Sequence, residues 1–393
     1  MNTRRDFLRA GALGAAAISL LPSLGRAAEG PAPATASTPG AASGASQAPL
    51  DILVDWHSHW ISPSEVRLLA KRAAAPRVFT NAEGVEVFEN LTTASFVARK
   101  PSPLVLSDLA HRAKHLEANH VQRQLLSYTV ANGYDASLPL EDVRPYFRAL
   151  NDDLAEVVRK YPDRFLGVAA LPTGDPVWAA QELERAHKEL GLIGGALPMN
   201  AFASLKGAQT LAPIFATGQK YRSHFFVHRA PASPLVPGQP PVIIPEDTDA
   251  LRWSILSNAH LANGAITLGL TNFLDPYPDV SVQLIMLGGF FPYLFAGGVK
   301  DWGERIGGDP IERLRRVYFD PGPYSRNGKW VSLAVETIGA DRLLFGTDYG
   351  VGGGIRGDVA PAIATLDSVL TPAQRQAIYV DNSRALLKSK GLV

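Results

Sequence analysis

An apolar, β-branched run begins at Ile52 and ends in Asp55-Trp56-His57-Ser58-His59-Trp60. In a strand, side chains two residues apart project from the same face. His57 and His59 would therefore stand side by side at the carboxyl end of that strand. Two imidazoles so placed suit a borderline divalent ion such as zinc, although two packed histidines would read the same way in isolation. Two downstream residues extend the pattern. His228 ends a second apolar run, and Asp348 follows Leu343-Leu344-Phe345-Gly346-Thr347. Three nitrogens and one carboxylate, each at a strand's carboxyl end, could converge on one ion if the strands close on themselves. The chain has nine histidines and no cysteine, which excludes disulfides, thiolate metal sites and a cysteine nucleophile.

The elements that must position these residues alternate. Short apolar runs at Ile52–Trp56, Val121–Tyr128, Phe165–Leu171, Leu192–Leu197, His224–Val227, Val282–Leu287, Val317–Phe319 and Leu343–Phe345 give eight candidate strands. Helical patterns lie between most of them. In Leu140–Lys160, Val143, Phe147, Leu150, Leu154, Val157 and Val158 recur at helical spacing. Asp175-Pro176 reads as an N-cap followed by proline in the first turn, and Gly191 as a stop. A longer helical region is expected over roughly Asp247–Asp275. Eight alternating strands without an internal linker predict an α/β fold, a single (β/α)8 TIM barrel over residues 51–393, with an open doubly wound sheet as the less favoured arrangement. Thr80–Leu91 reads as an inserted hairpin and Arg229–Pro245 as a Pro-rich loop. In a barrel both would sit over the carboxyl-terminal mouth, where active sites form.

The first fifty residues have another character. Thr3-Arg4-Arg5-Asp6-Phe7-Leu8-Arg9 precedes an apolar stretch, Gly11 to Leu24, and the small-residue cut site Gly25-Arg26-Ala27. This resembles a twin-arginine signal peptide, 1–27, and it is too short and too rich in Ala and Gly for a stable membrane span. The resemblance implies the twin-arginine export machinery as a partner and a periplasmic or secreted location. Residues 28–50, mostly Ala, Pro, Ser, Thr and Gly, read as a disordered linker. The whole chain has 38 basic and 37 acidic residues. Removing 1–27 takes away four arginines and one aspartate, leaving 34 basic and 36 acidic. Nothing in that balance suggests the basic field of a nucleic-acid binder.

The ladder DWHSHW (55–60), NDDLAEVVRKYPDRFLGVAALPTGDP (151–176), ELGLIGGALP (189–198), FVHRA (226–230), GGFFPYL (288–294), RLLFGTDY (342–349) and DNSRALL (381–387) resembles the amidohydrolase superfamily. The match is to the amidohydrolase 2 branch, that of aminocarboxymuconate-semialdehyde decarboxylase and related aromatic acid decarboxylases. The resemblance implies a barrel with one divalent metal ion, zinc first and manganese or iron as alternatives. Its ligands would be His57, His59, His228 and Asp348, with Asp348 also moving a proton. It implies hydrolysis or non-oxidative decarboxylation of a small carboxylated or aromatic substrate, and leaves a homodimer open. Binuclear relatives carry a lysine at the end of strand 4. Leu192–Asn200 has none, and Lys206 reads as a surface residue.

Other expectations concern the surroundings. Trp60 and Arg229 flank ligands and are expected to line a substrate pocket, where an arginine would suit a carboxylate. Asp55, which alternation sets on the same strand face as His57, is expected below the ion in a supporting role. One position departs from the family. The histidine that usually precedes the Gly-Gly of strand 6 is Met286, a poor proton acceptor. His260 is the remaining candidate for a relocated base. The departure also admits a catalytically impaired barrel that binds a metal or ligand without turnover.

Overall fold

The computed structural model describes residues 50–90, 100–104, 108–240, 249–350 and 358–393. The proposed signal peptide and nearly all of the linker lie outside the described residues, as does part of the Pro-rich loop.

Seven of the eight expected barrel strands form. They are β1 (Ile52–His59), β5 (Val121–Ser127), the pair β6 (Phe165–Gly167) and β7 (Ala169–Ala170), β8 (Gly194–Pro198), β9 (His224–His228), β10 (Ser281–Leu284) and β11 (Val317–Phe319). All their pairings are parallel, in the orders β1-β5-β6 and β7-β8-β9-β10-β11. Val168 separates β6 from β7, and its N–H still reaches Leu126 O at 3.2 Å. The eighth segment, Leu343–Phe345, forms isolated bridges rather than a ladder. It nonetheless closes the barrel. Leu344 N–H bonds Phe319 O at 2.8 Å, Phe345 O accepts from Trp56 N–H at 2.9 Å, and Asp348 N–H bonds His57 O at 2.9 Å. The ladder stays short because Gly346 follows at once and Asp348 turns left-handed, at φ 65°.

The expected sixth strand is also shorter than its apolar run. It stops at Leu284, and Met286 and Leu287 adopt φ 53° and 56° in a tight turn. Leu287 N–H there bonds Asp320 O at 2.8 Å, so the turn is tied to the end of β11. The expected hairpin is present as β2 (Arg77–Thr80) against β3 (Glu86–Glu89), with the short β4 (Ser102–Pro103) beside it.

Helix Leu140–Lys160 buries Val143, Phe147, Leu150, Leu154 and Val157, the stripe expected from spacing. Asp175 caps its helix by accepting from Trp178 N–H at 3.1 Å. The long region resolves into Asp249–Ala265 and a π-turn, Ile266–Leu270. At the barrel floor, Trp56 Nε1 donates to Ser383 Oγ at 2.9 Å, tying the first strand to the last helix, Asn382–Ser389. No helix among the described residues is long and apolar enough to cross a membrane.

Helix Pro63–Leu69, which follows β1, carries a buried acid. Glu65 is 1% exposed and its Oε1 accepts from the Tyr134 hydroxyl at 2.6 Å. Burial pushes its pKa from 4.5 up to about 7, against the opposing effect of its hydrogen bonds. The folded chain therefore prefers the protonated acid, and stability is lost as pH rises from about 4.5 to about 7. The size is on the order of 3 kcal/mol at 1.4 kcal/mol per unit. Glu65→Gln keeps the shape and removes the ionisation. The variant is expected to gain stability over the wild type at pH 8 relative to pH 5, read from paired denaturant titrations. An unchanged difference between the two pH values would refute it.

Candidate metal centre

His57 and His59 leave β1 from its last three residues, and His228 is the last residue of β9. Asp348 follows the eighth segment. One ligand atom from each of the four lies within 4.8 Å of all the others. His57 Nε2 and His59 Nε2 are each 3.2 Å from Asp348 Oδ1, and His59 Nε2 is 3.1 Å from His228 Nε2. The three imidazoles are almost fully buried, while Asp348 is 16% exposed.

The opposite ring nitrogens are all engaged. His57 Nδ1 meets Asp320 Oδ1 at 2.6 Å. His59 Nδ1 meets Ser127 Oγ at 3.0 Å and Tyr128 O at 3.2 Å. His228 Nδ1 meets Arg229 O at 3.2 Å. Each ring is thus gripped from behind and offers Nε2 to one point, the usual arrangement around a bound ion. His57 Nε2 and Asp348 Oδ1 are buried without a hydrogen-bond partner. Buried polar atoms are normally satisfied, so the donor set fits a divalent cation that would satisfy both.

Electrostatics agree. Burial pulls His57 down, but the carboxylates of Asp320 and Asp348 outweigh it and hold the ring up to about 10. Burial pushes Asp348 up, and the His57 and His59 rings more than reverse this, holding it well below the usual carboxylate range. Burial lowers His59 and His228, keeping both neutral. The cluster holds a carboxylate, two neutral imidazoles and a His57 ring that keeps a second proton until a cation takes its place on Nε2. Two glycines make room for it. A Cβ at Gly346 would lie 2.9 Å from both Asp320 Oδ1 and His57 Cβ, and one at Gly322 would lie 2.8 Å from His57 Nδ1.

Two expectations are corrected. Asp55 does not share the inner face with His57. Asp55 pairs with Gln124 and Ser58 with Leu126, so one extra residue bulges in β1 between them and the alternation slips. The Asp55 carboxylate instead accepts from Gln124 Nε2, from the Thr347 hydroxyl and N–H, and from His57 N–H. It steadies the backbone on either side of two cluster residues. Trp60 does not line the mouth. Alternation from His59 turns it outward, into a small space with Tyr128, Leu150, Leu154 and Val168 behind the barrel wall. Arg229 does stay near the mouth. Its guanidinium lies over Trp253 at 5.7 Å and donates to Ser257 Oγ at 3.3 Å. His260 lies one turn beyond Ser257 on the same helix, 6% exposed. Met286 is likewise 6% exposed.

Asp320 is the residue that sequence reasoning missed. It directly follows β11, so the strand-end rule that singled out Asp348 applies to it equally.

A closed parallel barrel carrying three histidines and one aspartate at its carboxyl-terminal mouth defines a metal-dependent enzyme of the TIM-barrel class. The chain belongs to the amidohydrolase family, whose model matches residues 54–388, and so to a superfamily of hydrolases and carboxy-lyases. It is 30% identical over 285 residues to gamma-resorcylate decarboxylase of Polaromonas sp. (strain JS666), covering 66% of this chain and 83% of that one. It is 34% identical over 251 residues to 2-amino-3-carboxymuconate-6-semialdehyde decarboxylase of Dictyostelium discoideum, covering 61% and 65%. The fold is shared with 2,6-dihydroxybenzoate decarboxylase from Rhizobium, at TM-score 0.61, 19% identity, 86% of this chain and 99% of that one. It is also shared with dihydroxybenzoic acid decarboxylase from Polaromonas sp. JS666, solved with manganese and 2-nitroresorcinol, at TM-score 0.60, 20% identity, 86% and 97%.

Proposed function

We propose that the protein is a metal-dependent decarboxylase of small aromatic carboxylates. The convergence of His57, His59, His228 and Asp348 within 4.8 Å carries the reading, and the decarboxylase relatives support its direction. A divalent ion bound there supplies Lewis acidity toward substrate oxygens. The manganese in the Polaromonas structure favours manganese beside zinc.

The chain's own groups do the rest. Asp348, ionised and reaching the mouth, takes the proton of the substrate's ring hydroxyl and delivers it to the ring carbon, whose bond to the carboxylate breaks with the electron pair left on the ring and CO2 released. Arg229, braced by Trp253 and Ser257, pairs with the substrate carboxylate before it leaves. The buried histidines hold the centre and exclude water from behind it.

The experiment is CO2 release from a panel of hydroxybenzoates by protein reconstituted with manganese or zinc, with Arg229→Met in parallel. Turnover is expected on at least one ortho-hydroxylated acid. Arg229→Met is expected to raise KM by about tenfold to a hundredfold, the worth of roughly 1.5–3 kcal/mol for a charged hydrogen bond. Full metal occupancy with no turnover on any acid would support instead the impaired, metal-binding barrel that Met286 suggests.

Export is proposed on the strength of residues 1–27 alone. The chain, shortened by its signal, is expected in the periplasmic fraction, and replacing Arg4 and Arg5 by lysine is expected to leave it in the cytoplasm. Equal export of both forms would remove the proposal.

A further inference from the structure

Behind the centre, a file of buried polar side chains descends through the barrel interior. Asp320 Oδ1 holds His57 Nδ1 at 2.6 Å, and its Oδ2 meets Gln283 Nε2 at 2.6 Å. Gln283 Nε2 also reaches Trp56 O at 3.0 Å, while Gln283 Oε1 lies 2.9 Å from His224 Nε2. His224 Nδ1 ends the file at Ser281 Oγ, 3.0 Å away. Asp320, Gln283 and His224 are fully buried, His57 is 1% exposed and Ser281 7%.

The donors and acceptors along this file allow one assignment. The two nitrogen contacts of Gln283 are to a carbonyl and a carboxylate, both acceptors, so the amide nitrogen must face them. Reversing the amide would set its oxygen against both. Oε1 therefore faces His224 and requires Nε2–H there. His224 Nδ1 is then an acceptor, and the Ser281 hydroxyl donates to it. At the upper end the Asp320 carboxylate accepts, so His57 carries its proton on Nδ1 and presents Nε2 to the cluster. Burial holds His224 down to about 3, consistent with a neutral ring.

We propose that Gln283 is a positioning residue for the metal centre. By fixing Asp320 in one orientation it sets the Nδ1–H tautomer of His57, and it is itself fixed from below by His224 and Ser281. The sixth strand, which lacks the family histidine at Met286, thus contributes to the site from three residues lower. The inference rests on the metal-centre reading, and its test separates the two.

In metal-free wild-type protein, long-range proton–nitrogen correlation should show His224 as the Nε2–H tautomer. The Nδ1–H tautomer would overturn the file. Chelator competition with manganese and zinc then compares three variants. Gln283→Met, close in volume and unable to bond, is expected to weaken metal binding by about tenfold to a hundredfold, as loss of an outer partner does. His224→Phe, farther from the cluster, should weaken it in the same direction by less. Val282→Ala should lower thermal stability without moving metal affinity. Wild-type affinity in Gln283→Met overturns the proposal. If that variant does not fold, wild-type affinity in His224→Phe does so. A wild type that binds neither metal refutes the metal-centre reading and this role of Gln283 with it, while the His224 tautomer still decides the file.

Discussion

Replacing His59 by alanine is expected to remove metal binding and with it all measurable turnover. His59 Nε2 sits 3.2 Å from Asp348 Oδ1 and 3.1 Å from His228 Nε2, so it touches two of the other three cluster residues. Loss of a direct ligand should exceed the roughly 10–100-fold that an outer partner contributes. His59 is a cleaner test than His57. Truncating His57 would also strand the buried Asp320 carboxylate, and an uncompensated buried charge costs several kcal/mol in its own right. The partners of His59 Nδ1 are a hydroxyl and a backbone carbonyl, whose loss of a bond is milder. Metal content by mass spectrometry, read with the unfolding midpoint, checks the result. A folded His59→Ala protein with a full equivalent of metal would sink the assignment of the centre.

The second large effect separates Asp348 the ligand from Asp348 the proton carrier. Asparagine keeps one oxygen toward the ion and tolerates the left-handed backbone, φ 65°, that this position imposes. It cannot take up a proton. Asp348→Asn is therefore expected to lower kcat by about 10²–10⁴-fold, the span of general acid–base catalysis. KM and metal occupancy should change much less. Activity falling only in step with metal content would assign Asp348 a holding role alone, and a kcat near the wild-type value would exclude it as the proton carrier. His260 would then be the next group to test, since it lies on the helix that braces Arg229.

The cluster was legible because strand ends are local features. A short apolar run, its termination and the side-chain period of two are written in neighbouring residues, so His57, His59, His228 and Asp348 could be placed without knowing what lay across the barrel. The helices announced themselves in the same way, through the 3.6-residue stripe of Leu140–Lys160 and the cap at Asp175. Where local rules were applied across an irregularity they failed. The bulge between Asp55 and Ser58 is a property of the β1–β5 pairing, so Asp55 faces away from where its alternation pointed. Trp60, by contrast, obeys the local rule, since the alternation that turns His59 inward turns Trp60 outward.

The sequence by itself therefore determined the barrel and the four converging donors, since each depends on residue type and spacing along one segment. Tertiary structure alone decided what stands behind those donors. The grip of Asp320 on His57 spans 263 positions, and that of Gln283 on Asp320 spans 37. Such partners are chosen by register between strands far apart in sequence and by the need to satisfy every buried polar group. That need becomes specific only once the barrel has closed.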